Sequence, residues 1–393
     1  MAEASRRSKL RGSIFRHLAV AATMLLASCS GVVPKGGRPA PALPTAPSGP
    51  EKPDGLPQDQ ARHRVALLVP LTGTNAAVGQ SIANAATMAL IDTGNKSIRM
   101  TTYDTAAGAA AAAARAIAEG NRLFLGPLLS EDAAAVAPAA RKAGVPVISY
   151  SNDAAAAGEG VYVMGFSPAQ SIDRVVRYAK SKGVTRFAAL VPSGVYGRSA
   201  STAMIRAVEG AGGSLVAMKS YERSPKALGL AVAQLGRDQG YDGVLIADNA
   251  RIATSAVPLI RKGSSPQAHV MGTELWSAEP TLLTGPMLSG SWYASVSDAR
   301  YRQLAQAYRR QFGKGPFRLA SLGYDSMLLV VKIAGGWKIG DKFPAGRLRD
   351  DGGFVGVDGV FRFSPSGVAE RALEVQELSP AGAKVVSPAP GGF

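Results

Sequence analysis

"LFLGPLLSEDAAAVAPAARKAGVPVISYS", Leu123 to Ser151, contains a full structural cycle. Arg122–Gly126 is a short apolar run closed by Gly126-Pro127. Ser130–Lys142 is an alanine-rich segment of helical length, and Val145–Ser149 is apolar again. Strands that are apolar throughout, rather than at alternate positions, belong to a parallel sheet covered on both faces, with helices as the connections.

The same cycle extends in both directions. Upstream, Val65–Val69 is a continuous apolar strand. Ile82, Ala85, Ala86, Ala89 and Leu90 then recur at helical spacing, followed by a strand at Ile98–Asp104 and an alanine-rich helix at Thr105–Glu119. Downstream, Ser167-Pro168-Ala169-Gln170 has the form of a capping box with proline at the first helical position. Ile172, Val175, Val176 and Ala179 form the apolar stripe of that helix, and Gly183 can close it. Strands follow at Arg186–Val191, Gly213–Tyr221, Asp242–Asp248 and His269–Trp276, with a helix opening at Tyr196. Ala66–Gly73 and Ala188–Gly194 echo one another, each a strand, Val-Pro and a glycine loop, which suggests two similar halves. The last third changes character. It holds a strand at Ser291–Val296, a helix carrying Tyr301, Leu304, Ala305, Tyr308 and Phe312 up to Gly313, and a helix over 319–334. Short strands follow in 356–363, with a turn at Asp358-Gly359, and in 372–378. The reading is an α/β chain of two lobes with a cleft between them.

In doubly wound sheets, ligands bind beyond the carboxyl ends of the strands. The residues there are rich in hydroxyls, amides and acids. Ser130 follows the third strand, Ser149, Tyr150, Ser151 and Asn152 follow the fourth, and Tyr196, Asp248 and Glu274 follow strands of the second lobe. Hydroxyls and free backbone N–H groups suit a small carboxylate, Asp248 or Glu274 suits an amine, and an aromatic ring can cover an apolar tail. The same residue types also cap helices and make turns.

The N-terminus sets the compartment. Arg6, Arg7, Lys9, Arg11 and Arg16 precede a short apolar run, Leu18–Ala27, the pattern of a secretory signal and too short to span a bilayer. Leu26-Ala27-Ser28-Cys29 resembles the bacterial lipobox, with residues 1–28 as signal peptide and Cys29 as the lipidated first residue of the mature chain. Ser30 after it implies sorting to the outer membrane. Cys29 is the single cysteine, which excludes an internal disulfide and a cysteine-ligated metal site. Residues 29–62 form a tether with eight of the 25 prolines, able to reach roughly 100 Å. The formal charge is +16, and +12 remains without residues 1–28, from 39 basic and 27 acidic residues. No run of five basic residues follows residue 28, so the surplus does not indicate nucleic acid. Anionic envelope polymers, lipid head groups or simple solvation can account for it.

The chain resembles the type 1 periplasmic binding protein family, in its Leu/Ile/Val-binding group, over about residues 63–380. The carriers are "VALLVPLTGTNAAVGQSIANAATMAL", the opening stretch, "VYGRSASTAMIRAVEGAGGSLV" and "GYDSMLLV". The resemblance implies two Rossmann-like lobes with parallel sheets, linked by a hinge and closing over an amino acid. The expected lobes are 63–165 with 295–345 and 166–294 with 346–380, followed by a flexible tail at 381–393. It implies that Ser149 and Ser151 take the carboxylate, that Tyr196 covers the ligand and that Glu274 accepts the amine. Asp153 departs from the family pattern, because a carboxylate there would repel the ligand unless it points away.

Two functions follow. One is a periplasmic binding protein that delivers an amino-acid-like solute to an ABC permease. The other is an outer-membrane lipoprotein that activates a penicillin-binding protein, a branch that "ALLVPLTG" and "GPLL" also resemble. An enzyme is not expected. Outside the signal, histidine occurs only at His63 and His269, and the chain has no P-loop, metal cluster or nucleophile elbow. No cofactor is expected.

Overall fold

The computed structural model describes residues 62–237 and 239–392. The expected signal peptide, Cys29 and the expected tether up to residue 61 lie outside them. The first lobe opens with β1 (His63–Val69), α1 (Ala76–Asp92), β2 (Ile98–Asp104), α2 (Ala109–Ala118), β3 (Leu123–Leu125), α3 (Ser130–Ala143), β4 (Val147–Ser149) and β5 (Val161–Val163). The second lobe follows with α4 (Pro168–Ser181), β6 (Arg186–Pro192), α5 (Val195–Gly210), β7 (Ser214–Tyr221), α6 (Pro225–Leu235), β8 (Gly243–Ile246), α7 (Ala250–Arg261), β9 (His269–Gly272), α8 (Pro280–Leu283) and β10 (Trp292–Ser295). The chain ends with α9 (Asp298–Phe312), α10 (Ala320–Ala334), β11 (Phe354–Gly356), β12 (Gly359–Phe363), β13 (Ala369–Arg371), β14 (Glu374–Ser379) and β15 (Gly382–Ser387).

The first sheet runs β2-β1-β3-β4-β5, all parallel. In the second, β7-β6-β8-β9-β10 are parallel and antiparallel β14 and β15 are added at the β10 edge. Counted within each lobe, both parallel runs have the order 2-1-3-4-5 of a doubly wound fold. The echo between Ala66–Gly73 and Ala188–Gly194 is therefore a repeat of architecture, and it extends to one glycine in each lobe. A Cβ on Gly79 would lie 1.8 Å from the Pro70 carbonyl oxygen, and one on Gly197 would lie 1.5 Å from that of Pro192. Each glycine lets the first turn of a helix rest on the end of the strand before it.

The strands read as apolar runs because they are buried on both faces. Val65 to Val69 have no exposed surface. On α4, Ile172, Val175, Val176 and Ala179 are fully buried, as their spacing requires. Ser167 caps that helix by accepting from the Ala169 N–H. Gln170 does not complete a capping box. Its amide donates to the Ala369 carbonyl at 2.6 Å, and its oxygen accepts from the Arg371 N–H at 2.7 Å. These backbone groups, where the chain leaves β13, offer the glutamine a better pairing than its own helix start.

Two expected boundaries are corrected. Residues 346–371 pack on the first lobe, not the second. Leu348, Phe354, Phe361, Phe363 and Ala369 join the core formed by Val65, Leu67, Ile82 and Leu125. Burying a large apolar side chain contributes about 1.5–3 kcal/mol, so three phenylalanines outweigh any preference of so short a segment. Residues 382–387, expected in a flexible tail, form β15, which pairs with β14 from Ser379↔Gly382 to Val375↔Ser387. Arg174 fastens its end through the Ser387 hydroxyl and the Pro388 carbonyl. The expected turn at Asp358-Gly359 is the tip of the β11–β12 hairpin, where Gly356 pairs with Gly359 at φ 89°.

Candidate functional site

The chain passes between the lobes three times: after β5, after β10 and after β13. Buried charges gather at these crossings. Arg371 donates to the Met164 carbonyl at 2.7 Å. Arg318, just before α10, lies 2.8 Å from Asp358 and 3.5 Å from Asp298. The ring of Phe166 sits against both guanidiniums, 5.5 Å from Arg318 and 4.9 Å from Arg371. Asp325 accepts from the Val357 and Asp358 N–H groups. Burial, and then the charge of Asp358, push its carboxyl up to about 7.

Beside the crossings lies a cavity of about 360 Å³ with walls from both lobes. Asn75, Leu128, Leu129, Tyr150 and Asn152 line it from the first lobe, and Glu274, Leu275, Ser277 and Ala278 from the second. Phe166, Val296, Arg318 and Leu319 line it from the crossings and the start of α10. Its position beyond the carboxyl ends of β1, β3, β4 and β9 matches the rule for doubly wound sheets. Its size suits a small molecule.

Of the eight expected ligand-binding residues, Tyr150, Asn152 and Glu274 line this cavity. Asn152 is exposed and also lines a separate groove against α4 and α5. The Tyr150 hydroxyl pairs with the Ser326 hydroxyl at 2.7 Å, and burial pushes its pKa up. Glu274 is 8% exposed. Its carboxylate accepts from the Ser171 hydroxyl and, at 3.0 Å, from Tyr196. Burial raises its pKa against the opposing effect of these bonds. Tyr196 therefore stands behind Glu274 as its support, also paired with the Thr273 hydroxyl at 2.9 Å, and does not line the cavity.

The other four expected residues are turned elsewhere. Ser149 is buried and donates to the Pro127 carbonyl at 3.0 Å. Ser151 accepts from the Asp153 N–H at 3.0 Å. Ser130 begins α3 and pairs with Glu131. Asp248 is fully buried and accepts from Tyr221 at 2.8 Å and from Arg223 at 2.9 Å. Asp153 does point away, capping a 3-10 turn at Ala154–Ala156 and facing a separate groove against α4 and α5.

Arg318 and Phe166 were not anticipated. In the sequence Arg318 is one cation between Phe317 and Leu319 ahead of an almost uncharged helix, which was the available signal. Leu128 and Leu129 sit in the opening stretch, between Gly126-Pro127 and the start of α3.

The model of a family described as periplasmic binding proteins matches residues 63–378. The uncharacterized protein RP748 of Rickettsia prowazekii (strain Madrid E) is 27% identical over 183 residues, 46% of this chain and 49% of that one. The chain thus spans about half the length of that curated relative. A putative branched-chain amino acid ABC transporter from Rhodospirillum rubrum superposes with a TM-score of 0.70 at 20% identity, over 83% of this chain and 100% of that one. The substrate-binding protein LivJ from Streptococcus pneumoniae, solved in complex with isoleucine, gives 0.63 at 19% identity, over 83% and 100%. At these identities the structural likeness is one of fold. With the family match across both lobes and all three crossings, the chain belongs to the periplasmic binding protein family.

Proposed function

We propose that the chain is a non-enzymatic extracytoplasmic solute-binding lipoprotein, similar to the Leu/Ile/Val-binding group. It closes two lobes over an amino acid or a similar small solute and presents it to an ABC permease. The carrying observation is the cavity of about 360 Å³ walled by both lobes next to the three crossings. A solute held there gains contacts from both walls only when the lobes are closed, and that difference in affinity drives closure. Cys29 and the proline-rich tether support a lipid anchor facing the periplasm. Thermal denaturation against a panel of amino acids and organic acids should show at least one solute raising Tm by several degrees. Silence across the panel would overturn the reading.

A second reading has its own support. Ser149, Ser151, Tyr196 and Asp248 satisfy their polar groups internally. Such a cleft can be structural, in an outer-membrane lipoprotein that activates a penicillin-binding protein. Ser30 after Cys29 favours this placement. Affinity capture from envelope extract should then recover a peptidoglycan synthase, whereas capture of a permease would decide for transport.

A further inference from the structure

We propose that the first lobe carries a docking face for an anionic phospholipid surface, at the end where its strands begin. This is the end of the sheet opposite the cavity, and its role does not depend on what the cavity holds.

All strands of a parallel sheet start at one end, and the connecting helices finish there. Four contacts gather the separate stretches of chain at that end. The His63 N–H donates to the Ser97 carbonyl at 2.7 Å, and the Arg122 N–H to the Arg64 carbonyl at 2.9 Å. The ring of Trp337, just past α10, stacks on His63 at 3.9 Å. The Lys342 ammonium lies 3.4 Å from the place a Cβ would take on Gly144, the residue that ends α3. Arg62, Arg122, Ile339 and Asp341 line one depression there.

The stretches 62–64, 92–99, 115–122, 141–144, 158–161 and 337–342 meet at this end and carry ten lysines and arginines against four acids. The equivalent stretches of the second lobe, 182–186, 209–214, 236–243 and 261–269, carry five against three. The positive surplus is thus concentrated on the first lobe. Lys96, Arg122, Lys142, Lys338 and Lys342 are exposed and form no ion pair with a described residue. Three of the four acids are engaged: Asp92 accepts from Tyr324, Glu119 accepts from Tyr103, and Glu159 pairs with Arg141.

Apolar side chains sit among these charges. Ile339, next to Lys338, is 45% exposed, and Ile91, in the last turn of α1, is 63% exposed. Head groups take up positive charge, and the boundary with the acyl chains takes up apolar side chains. An anionic polysaccharide offers only the first of these. Residues 1–61 join the lobe at this same face, through Arg62. The lipid anchor proposed at Cys29 would therefore hold this face near the bilayer at high effective concentration.

Sedimentation with vesicles tests this on the chain from residue 29 with Cys29→Ser, which retains every described element and lacks the lipid. It should pellet with vesicles of mixed phosphatidylcholine and phosphatidylglycerol, not with phosphatidylcholine alone, and added salt should release it. Each cation near such a surface contributes roughly fivefold in affinity, so Lys96→Gln, Lys338→Gln and Lys342→Gln together should weaken binding about a hundredfold. Arg198→Gln, Arg206→Gln and Lys262→Gln together remove the same charge from exposed positions of the second lobe and should weaken it by less than about threefold. None of the six holds an ion pair with a described residue, so both triple variants should keep the parent Tm. The comparison of the two vesicle types on the parent decides even where a variant melts early. Equal weakening by both triples would reveal a response to net charge alone and overturn the assignment of a face. Equal pelleting with both vesicle types, or with neither, would overturn the proposal, as would pelleting with isolated peptidoglycan in place of the mixed vesicles.

Discussion

Glu274 shows what burial does to a single carboxylate. Surrounded by Ser171 and Tyr196 and 8% exposed, it has its pKa raised by desolvation. The folded state therefore keeps a proton that the unfolded state has already released, and stability falls as pH rises from the ordinary carboxylate range toward the raised value. Glu274→Gln fixes the neutral form. It should raise Tm by about 2 °C or more near pH 8 and leave it unchanged near pH 4. A scan of Tm against pH checks this, and a variant less stable than the parent at pH 8 would contradict it. The pair Tyr196 and Glu274 was legible as belonging near the cleft, but their bond to each other was not, since a contact across 78 positions has no local signature. Arg318 was illegible for the complementary reason. A lone arginine ahead of a helix usually points to water, and only the tertiary structure buries it.

At the scale of elements, the strands and helices were legible because each carries its own periodicity. β2 runs Ile98–Asp104 as read, and α3 runs Ser130–Ala143, one residue past the expected end. Errors came where an element's partner, not its type, was at issue. The stretch 356–363 reads as short strands about a turn, yet nothing in it says which lobe will receive Phe361 and Phe363, and Phe354 of β11 lies outside it. The close approach of Gly197 to Pro192 gives a test at this scale. Gly197→Ala places a methyl group on a carbonyl oxygen and should destabilise by about 3 kcal/mol, the upper end of overpacking costs. Gly229, within α6, has open space around its Cβ position, and Gly229→Ala should stabilise by about 0.5–1 kcal/mol. Urea denaturation of the two variants should shift the midpoint in opposite directions.

For the molecule as a whole, the two-lobe plan was legible from the repeated order of strands and helices, and the family match spans it. The routing of the final segment was not, because it depends on which core has unfilled space. The first lobe lacks part of its core until α10 and the β11–β13 strands arrive, since Leu322, Met327, Leu329, Val330 and Ile333 pack with Val65 and Ile82. Residues 62–165 in isolation should therefore show no cooperative thermal transition by circular dichroism, and a sharp transition in that fragment would contradict the assignment of 320–371 to the first lobe. The three crossings also impose an order of events on synthesis. Neither lobe is complete until the chain is nearly finished: the first waits from Val163 for Ala320–Arg371, and the second waits from Ser295 for β14 and β15. A nascent chain that ends before residue 320 thus lacks the α10 and β11–β13 side chains that close its first hydrophobic core.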